Sequence, residues 1–196
     1  MLKSVPQRLN LENLSYMFDR IKHLEAFIFF GTLLGFTREN NIIEYDDDVD
    51  IYVNAKQFRQ LLLILENSDF KIRKRPESRW YQLNKTPLII QANRILEGVE
   101  TYVDFYLYDD SDPKFIMERW NFKGNWKDET TCLKTPKELV FPIQTATMQG
   151  IEILVPSRPT ELCQFLYGDS WQIPKKKETE YVSRIKDNRP IVIGQA

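Results

Sequence analysis

Apolar side chains recur at helical spacing over residues 9–25, where Leu11, Leu14, Met17, Phe18, Ile21 and Leu24 line one face. This spacing predicts an opening amphipathic helix, with Asn10 placed to cap it. The pattern then changes to an unbroken apolar run over 26–30, which reads as a short buried strand. Gly31-Thr32-Leu33-Leu34-Gly35 follows and predicts a tight turn into a short helix. A second strand is expected over 48–53, paired with the first. Asn54 then caps a helix that runs to about Asn67 and turns Phe58, Leu61, Leu62 and Leu65 inward. Further strands are expected over 80–83, 87–92 and 99–108, the last rich in β-branched and aromatic residues. Asp109 to Asp112, ahead of Pro113, makes a turn, and residues 114–135 read as an irregular insertion around Trp120, Gly124 and Trp126. Strands over 145–148 and 151–155 flank Gln149-Gly150 and predict a hairpin. Ser157 and Pro159 open a helix that ends near Gly168, and a polar tail follows from Lys175.

Against this ordinary pattern one segment stands out chemically. Asp46-Asp47-Asp48-Val49-Asp50 places four carboxylates in five positions. Such a cluster repels itself unless something positive neutralises it, and a divalent cation is the usual agent. Alternate side chains of a strand share a face, so Asp48 and Asp50 point the same way while Val49 and Ile51 turn to the core. Two carboxylates on one face can grip Mg²⁺, which favours a few carboxylates together with phosphate oxygens of a substrate. An acidic surface turn or a calcium loop would show the same composition, but the central Gly and terminal Glu of an EF-hand loop are missing.

A third carboxylate, Asp104, lies inside the apolar strand Tyr102-Val103-Asp104-Phe105-Tyr106. A lone charge there is costly unless it is paired or metal-bound. Beside Asp48 and Asp50 it would hold a second ion or accept a proton from an attacking hydroxyl. The plainer alternative is an aspartate hydrogen-bonded by Tyr102 and Tyr106 on a half-exposed sheet. Gly31, at the end of the preceding strand, allows backbone N–H groups to come close to a phosphate. A glycine turn, a D-x-D strand and a later acidic strand together match a nucleotidyltransferase layout.

Composition narrows the classes. The 196 residues are 42% hydrophobic and 28% charged, with a formal net charge of −1. That is room for one domain over 1–196 with a C-terminal tail from about 175. The charge gives little attraction to nucleic acid, although Lys71, Arg73, Lys74, Arg75 and Arg79 form a local basic patch. Cys132 and Cys163 have no C-x-x-C spacing, so neither a zinc site nor a disulfide framework is indicated. His23 is the only histidine, which leaves no Ser-His-Asp set to build. No apolar stretch approaches the ~18 residues of a membrane span, and residues 1–10 lack a signal-peptide run. A cytoplasmic protein is expected, one that meets any lipid-linked acceptor at the inner face of the membrane.

The segment from Gly31 to Ile51 also resembles the LicD family, which includes bacterial phosphocholine transferases and the catalytic domains of fukutin and fukutin-related protein. The family pattern is G-T-L-L-G, a basic residue, then W-D-D-D-[IV]-D. Arg38 fills the basic position, and Asp46, Asp47, Asp48 and Asp50 the acidic ones. Tyr45 stands where the family usually has Trp, and Glu44 where it usually has Pro. Phe141-Pro142, Gly150, Val155-Pro156, Tyr167-Gly168-Asp169-Ser170-Trp171 and Pro174 resemble the closing segment, so the likeness runs from about 23 to 175. The resemblance implies an α+β nucleotidyltransferase (DNA polymerase β-like) fold, a mixed sheet packed against helices. It implies a metal-dependent transferase that moves a phospho-alcohol from a CDP-linked donor, CDP-choline or a CDP-polyol, to a saccharide hydroxyl. Mg²⁺ or Mn²⁺ would be held by Asp48, Asp50 and Asp104 as metal-binding and catalytic residues. Gly31, Thr32, Arg38 and Asp47 would bind substrate. A nucleotidyltransferase proper, moving an NMP from an NTP, and a silent binding module with the same fold are the competing readings.

Overall fold

In the computed structural model, residues 5–44, 46–72, 89–119 and 132–174 are described. The expected strand over 80–83, Tyr45, Trp80, most of the 71–79 basic patch and the tail from 175 lie outside them.

The element order is α1 (Gln7–Ile21), β1 (Ala26–Ile28), α2 (Phe30–Glu39), β2 (Asp48–Asn54), α3 (Phe58–Glu66), β3 (Lys71–Ile72), β4 (Ile89–Leu96), β5 (Val99–Asp109), β6 (Phe115–Arg119), β7 (Cys132–Pro136), α4 (Lys137–Val140), β8 (Gln144–Met148), β9 (Ile151–Val155) and α5 (Pro159–Tyr167). The first five strands in space run β1-β2-β5-β4-β3, and β6 and β7 extend the sheet from β5. Among the described residues β2 and β5 pair in parallel and the other ladders are antiparallel, so the sheet is mixed and the architecture α+β. The hairpin β8–β9 forms a separate pair whose turn residues Gln149 and Gly150 both have positive φ, 48° and 81°, as a tight two-residue hairpin turn requires.

Strand β2 lies between β1 and β5, and it is buried from Val49 onward. Val49, Ile51 and Val53 enter the core with Val103, Phe105 and Leu107 of β5, and α1 packs over the sheet with Leu14, Met17 and Ile21. Arg94 of β4 ties α1 down. Its Nε donates to Asn13 at 2.7 Å, and its guanidinium lies 4.4 Å from the Tyr16 ring centre and 4.9 Å from that of Phe70.

Four local expectations are corrected. Helix α1 starts at Gln7 behind Pro6 rather than at Leu9, because proline has no N–H to leave unpaired and its φ of −56° leads into a helix. Asn10 is therefore not a cap; it is buried inside the helix, and its side-chain amide donates to the Asp46 carbonyl at 3.0 Å. The stretch 31–35 is no turn but lies within α2, and neither glycine takes a positive φ. The described part of 114–135 is no irregular insertion, since β6 and β7 pair from Phe115↔Pro136 to Arg119↔Cys132.

The glycines of α2 serve close approach. A Cβ on Gly35 would sit 2.4 Å from the Asn41 carbonyl oxygen and 2.9 Å from the Ile43 nitrogen. The chain leaves α2 through Asn40 in the left-handed region (φ 50°) and runs back along the helix there. Because the obstructing atoms are backbone, Gly35→Ala must displace the return loop. Overpacking of this kind costs about 1–3 kcal/mol, against at most ~1 kcal/mol returned by the better helix propensity of alanine. A lower melting temperature for Gly35→Ala in thermal denaturation is the expected outcome.

Candidate active site

The return loop carries the acidic run back to the start of α2. Two side chains of α1 hold it: the Gln7 amide donates to the Ile42 carbonyl and Asn10 to the Asp46 carbonyl. The loop then enters β2 at Asp48.

Asp46, Asp47 and Asp48 each offer a carboxylate oxygen, all within 4.8 Å of one another, and all three side chains are half-buried. Asp50 follows on the same strand face as Asp48. The parallel register sets Asp50 directly opposite Asp104, and each of these two is only 6% exposed. The Gly31 N–H donates to Asp50 Oδ2 at 2.9 Å, so the first turn of α2 aims a backbone donor at that carboxylate. The Asp50 N–H donates to the Thr32 hydroxyl at 2.8 Å, and the Phe29 N–H to the Asp50 carbonyl at 3.1 Å. Asp104 is held from the other side by the Gln91 amide, 2.8 Å from its Oδ1.

Room at this junction is tight. A Cβ on Gly31 would lie 2.8 Å from Asp46 Oδ2 and 3.1 Å from Asp50 Oδ2. Phe30, just before it, takes φ 41°, a left-handed conformation that costs a non-glycine residue about 1–2 kcal/mol. Its ring sits edge-on to Tyr106 at 5.0 Å and to Tyr52 at 5.6 Å. Tyr52 stacks on Phe29 at 3.7 Å and donates its hydroxyl to the buried carboxylate of Glu118 on β6. An aromatic layer thus continues the face that Asp48, Asp50 and Asp104 begin.

The electrostatics follow from crowding. Burial pushes the Asp50 carboxyl well above the usual carboxylate range, and Asp48, Asp46 and Asp104 push it further, against the opposing pull of the Gly31 N–H. The Tyr106 phenol is pushed up by burial and then by Asp50, Asp104 and Asp48. A buried Asp50 that resists ionisation, set among Asp46, Asp48 and Asp104, has the charge and donor chemistry of a divalent-cation site built from hard oxygen ligands. The residues therefore fit a hard cation.

Of the residues singled out in the sequence, Gly31, Thr32, Asp47, Asp48, Asp50 and Asp104 meet around the start of α2 and the β2–β5 ladder. The Gly31 N–H and the Thr32 hydroxyl are both engaged with Asp50, the first as donor and the second as acceptor. Arg38 lies in the last turn of α2, its side chain 5% exposed and paired with Glu39 at 3.0 Å. Cys163 is buried on α5 near Arg38; burial pushes its thiol up to about 11, which leaves little thiolate for nucleophilic chemistry. Asn10 and Gln91 join the site without having been singled out for it, and Asp46, noted in the acidic run, joins it without an assigned role. Asn10 and Gln91 carry no periodic or motif signal, and Asp46 shows only as part of the acidic run.

A family model described as LicD/FKTN/FKRP, nucleotidyltransferase domain, matches residues 23–158. No curated protein matches. Among solved structures, the lincosamide antibiotic adenylyltransferase LnuA with lincomycin bound is similar at a TM-score of 0.48 and 15% identity, over 78% of this chain and 81% of that one. ANT(2″)-Ia in complex with adenylyl-2″-tobramycin is similar at a TM-score of 0.45 and 12% identity, over 85% of this chain and 78% of that one.

Proposed function

The chain belongs to the LicD/FKTN/FKRP nucleotidyltransferase family and is a transferase of nucleotidyltransferase fold, and we propose that it moves a phospho-alcohol from a CDP-linked donor to a saccharide hydroxyl. The observation that carries the reading is the in-register pair Asp50 and Asp104 beside the clustered Asp46, Asp47 and Asp48 at the first turn of α2. Carboxylates so arranged suit cations bridged to a diphosphate. The cytidine, the alcohol and the saccharide rest on the family likeness.

In this reading Asp48, Asp50 and Asp104 hold Mg²⁺ or Mn²⁺, and Asp46 and Asp47 add to the negative field around them. The bound ion supplies neutralisation of the diphosphate and of the charge that grows on the leaving group. The chain's own part is alignment. Gly31 and Thr32 pin the side chain and backbone of Asp50, Asp104 completes the set of oxygens around the cation, and the attacking saccharide hydroxyl gives its proton to water. The saccharide oxygen bonds to the phosphorus bearing the alcohol, the bridging P–O bond breaks, and CMP leaves with the bridging oxygen.

No helix of the described residues is long and apolar enough to cross a membrane. A lipid-linked acceptor would be met from the membrane surface.

A thermal-shift screen of CDP-alcohols and NTPs, each with and without Mg²⁺, tests the reading. A true donor at a hundred times its Kd adds about 2.7 kcal/mol, which raises the melting temperature by several degrees, and only with the cation present. Release of CMP in the presence of a saccharide acceptor is the supporting product. Pyrophosphate release from an NTP would replace the reading with nucleotidyl transfer, and no response to any nucleotide would leave a binding module.

A further inference from the structure

The two carboxylates that face each other across β2 and β5 are held in matching fashion, each by a neutral N–H donor. For Asp50 the donor is the Gly31 backbone, and for Asp104 it is the side chain of Gln91. Strand β4 alternates, with Ile90 and Ala92 buried in the core and Gln91 and Asn93 half-buried between them. The antiparallel register sets Gln91 opposite Asp104 and Asn93 opposite Tyr102. Asn93 donates to Glu100, near the start of β5, while Gln91 reaches Asp104.

We propose that Gln91 is the positioning residue of Asp104: its amide fixes one carboxylate oxygen and thereby orients the other toward the cation held with Asp48 and Asp50. The assignment rests on the metal site of the proposed function. A carboxylate with one oxygen committed to an amide offers a cation one oxygen rather than two. Its rotation about χ2 is also arrested, at little entropic cost on formation of the complex. The donor's neutrality matters as much as its place. A Lys or Arg at position 91 would orient Asp104 equally well but would cancel part of the negative charge that draws the cation. An amide orients without neutralising.

The test is a titration of the full chain with Mn²⁺ alone, followed by calorimetry and by the electron paramagnetic resonance of free Mn²⁺. The variants are Gln91→Met and Gln91→Leu, which keep the bulk and lose the donor, and Asn93→Ala as the control on the same strand face. Affinity for Mn²⁺ in both Gln91 variants should fall about 10–100-fold, the usual cost of removing a group that orients a metal ligand. Their metal-free melting temperatures should stay within a few degrees of the parent, and Asn93→Ala should bind as the parent does. Parental affinity in Gln91→Met and Gln91→Leu overturns the assignment while leaving the metal site intact. So does an equal loss in Asn93→Ala, or failure of both Gln91 variants to fold, either of which makes the contact structural. If the parent chain binds no Mn²⁺, the metal site itself falls and the assignment with it.

Discussion

Asp50→Asn should abolish turnover and at the same time raise the melting temperature of the metal-free protein. The side chain is buried, and its carboxyl is held well above the usual range by burial and by Asp48, Asp46 and Asp104. Asparagine keeps an oxygen that can accept the Gly31 N–H and brings an amide that can donate to the neighbouring carboxylates. It removes the charge that makes the cluster self-repelling. Relief of such repulsion is expected to stabilise the chain by about 1–2 kcal/mol, roughly 2–8 °C for a chain of this size. The catalytic effect runs the other way. Losing a ligand that helps to neutralise a diphosphate removes several kcal/mol of transition-state stabilisation, on the order of 10³-fold in rate at ~1.4 kcal/mol per decade. With saturating Mg²⁺ the order of stabilities should invert, because the parent gains from the ion and the variant does not. Differential scanning calorimetry with and without Mg²⁺, alongside CMP release, checks both halves. A variant that turns over at the parental rate would remove Asp50 from the site.

Gly31→Ala separates site geometry from folding. The added methyl would meet Asp46 Oδ2 at 2.8 Å and Asp50 Oδ2 at 3.1 Å. Both obstacles are ends of side chains, so the carboxylates can swing aside and the backbone need not move. Gly31 has no positive φ, and alanine in a helix gains up to ~1 kcal/mol over glycine. The melting temperature should therefore change little. Displacement of two carboxylates by up to about 1 Å should lower turnover roughly 10²-fold or more. The Mn²⁺ affinity should fall with it. Gly35→Ala, in the same helix, gives the opposite profile, since its obstacles are backbone atoms and its cost is stability. Should Gly31→Ala retain both affinity and turnover, the space at the first turn of α2 would have no part in arranging the carboxylates.

Much of this site is legible in the chain as written. Period two over Asp48-Val49-Asp50-Ile51 separates ligand face from core face, and the structure buries Val49 and Ile51 as that parity requires. Elements α1, β1, β2, α3, β5, the β8–β9 hairpin and α5 are predicted in the order the structure shows, because each carries its own periodicity and punctuation. Errors fell where a residue's role depends on something distant. Asn10 looks like a cap on local chemistry and is instead a donor to a loop 36 residues on. Gly31 and Gly35 read as a turn because glycine most often marks one, whereas here they make room for side chains and backbone brought in from outside the helix. Strands β6 and β7 carry little local signal, since short strands take their identity from the partner, which lies across an intervening stretch.

The sequence by itself determined the inventory: an amphipathic helix, a glycine-marked break after the first strand, an acidic run entering a strand on one parity, and a charge set in an apolar strand. Those are local properties, because periodicity and burial preference act between residues a few positions apart. Only the tertiary structure decided that Asp104 stands opposite Asp50, that α2 aims its first N–H at that carboxylate, and that Gln91 meets the other. Strand register is set by long-range packing of the two buried faces against each other. No short window of sequence contains both sides of that contact.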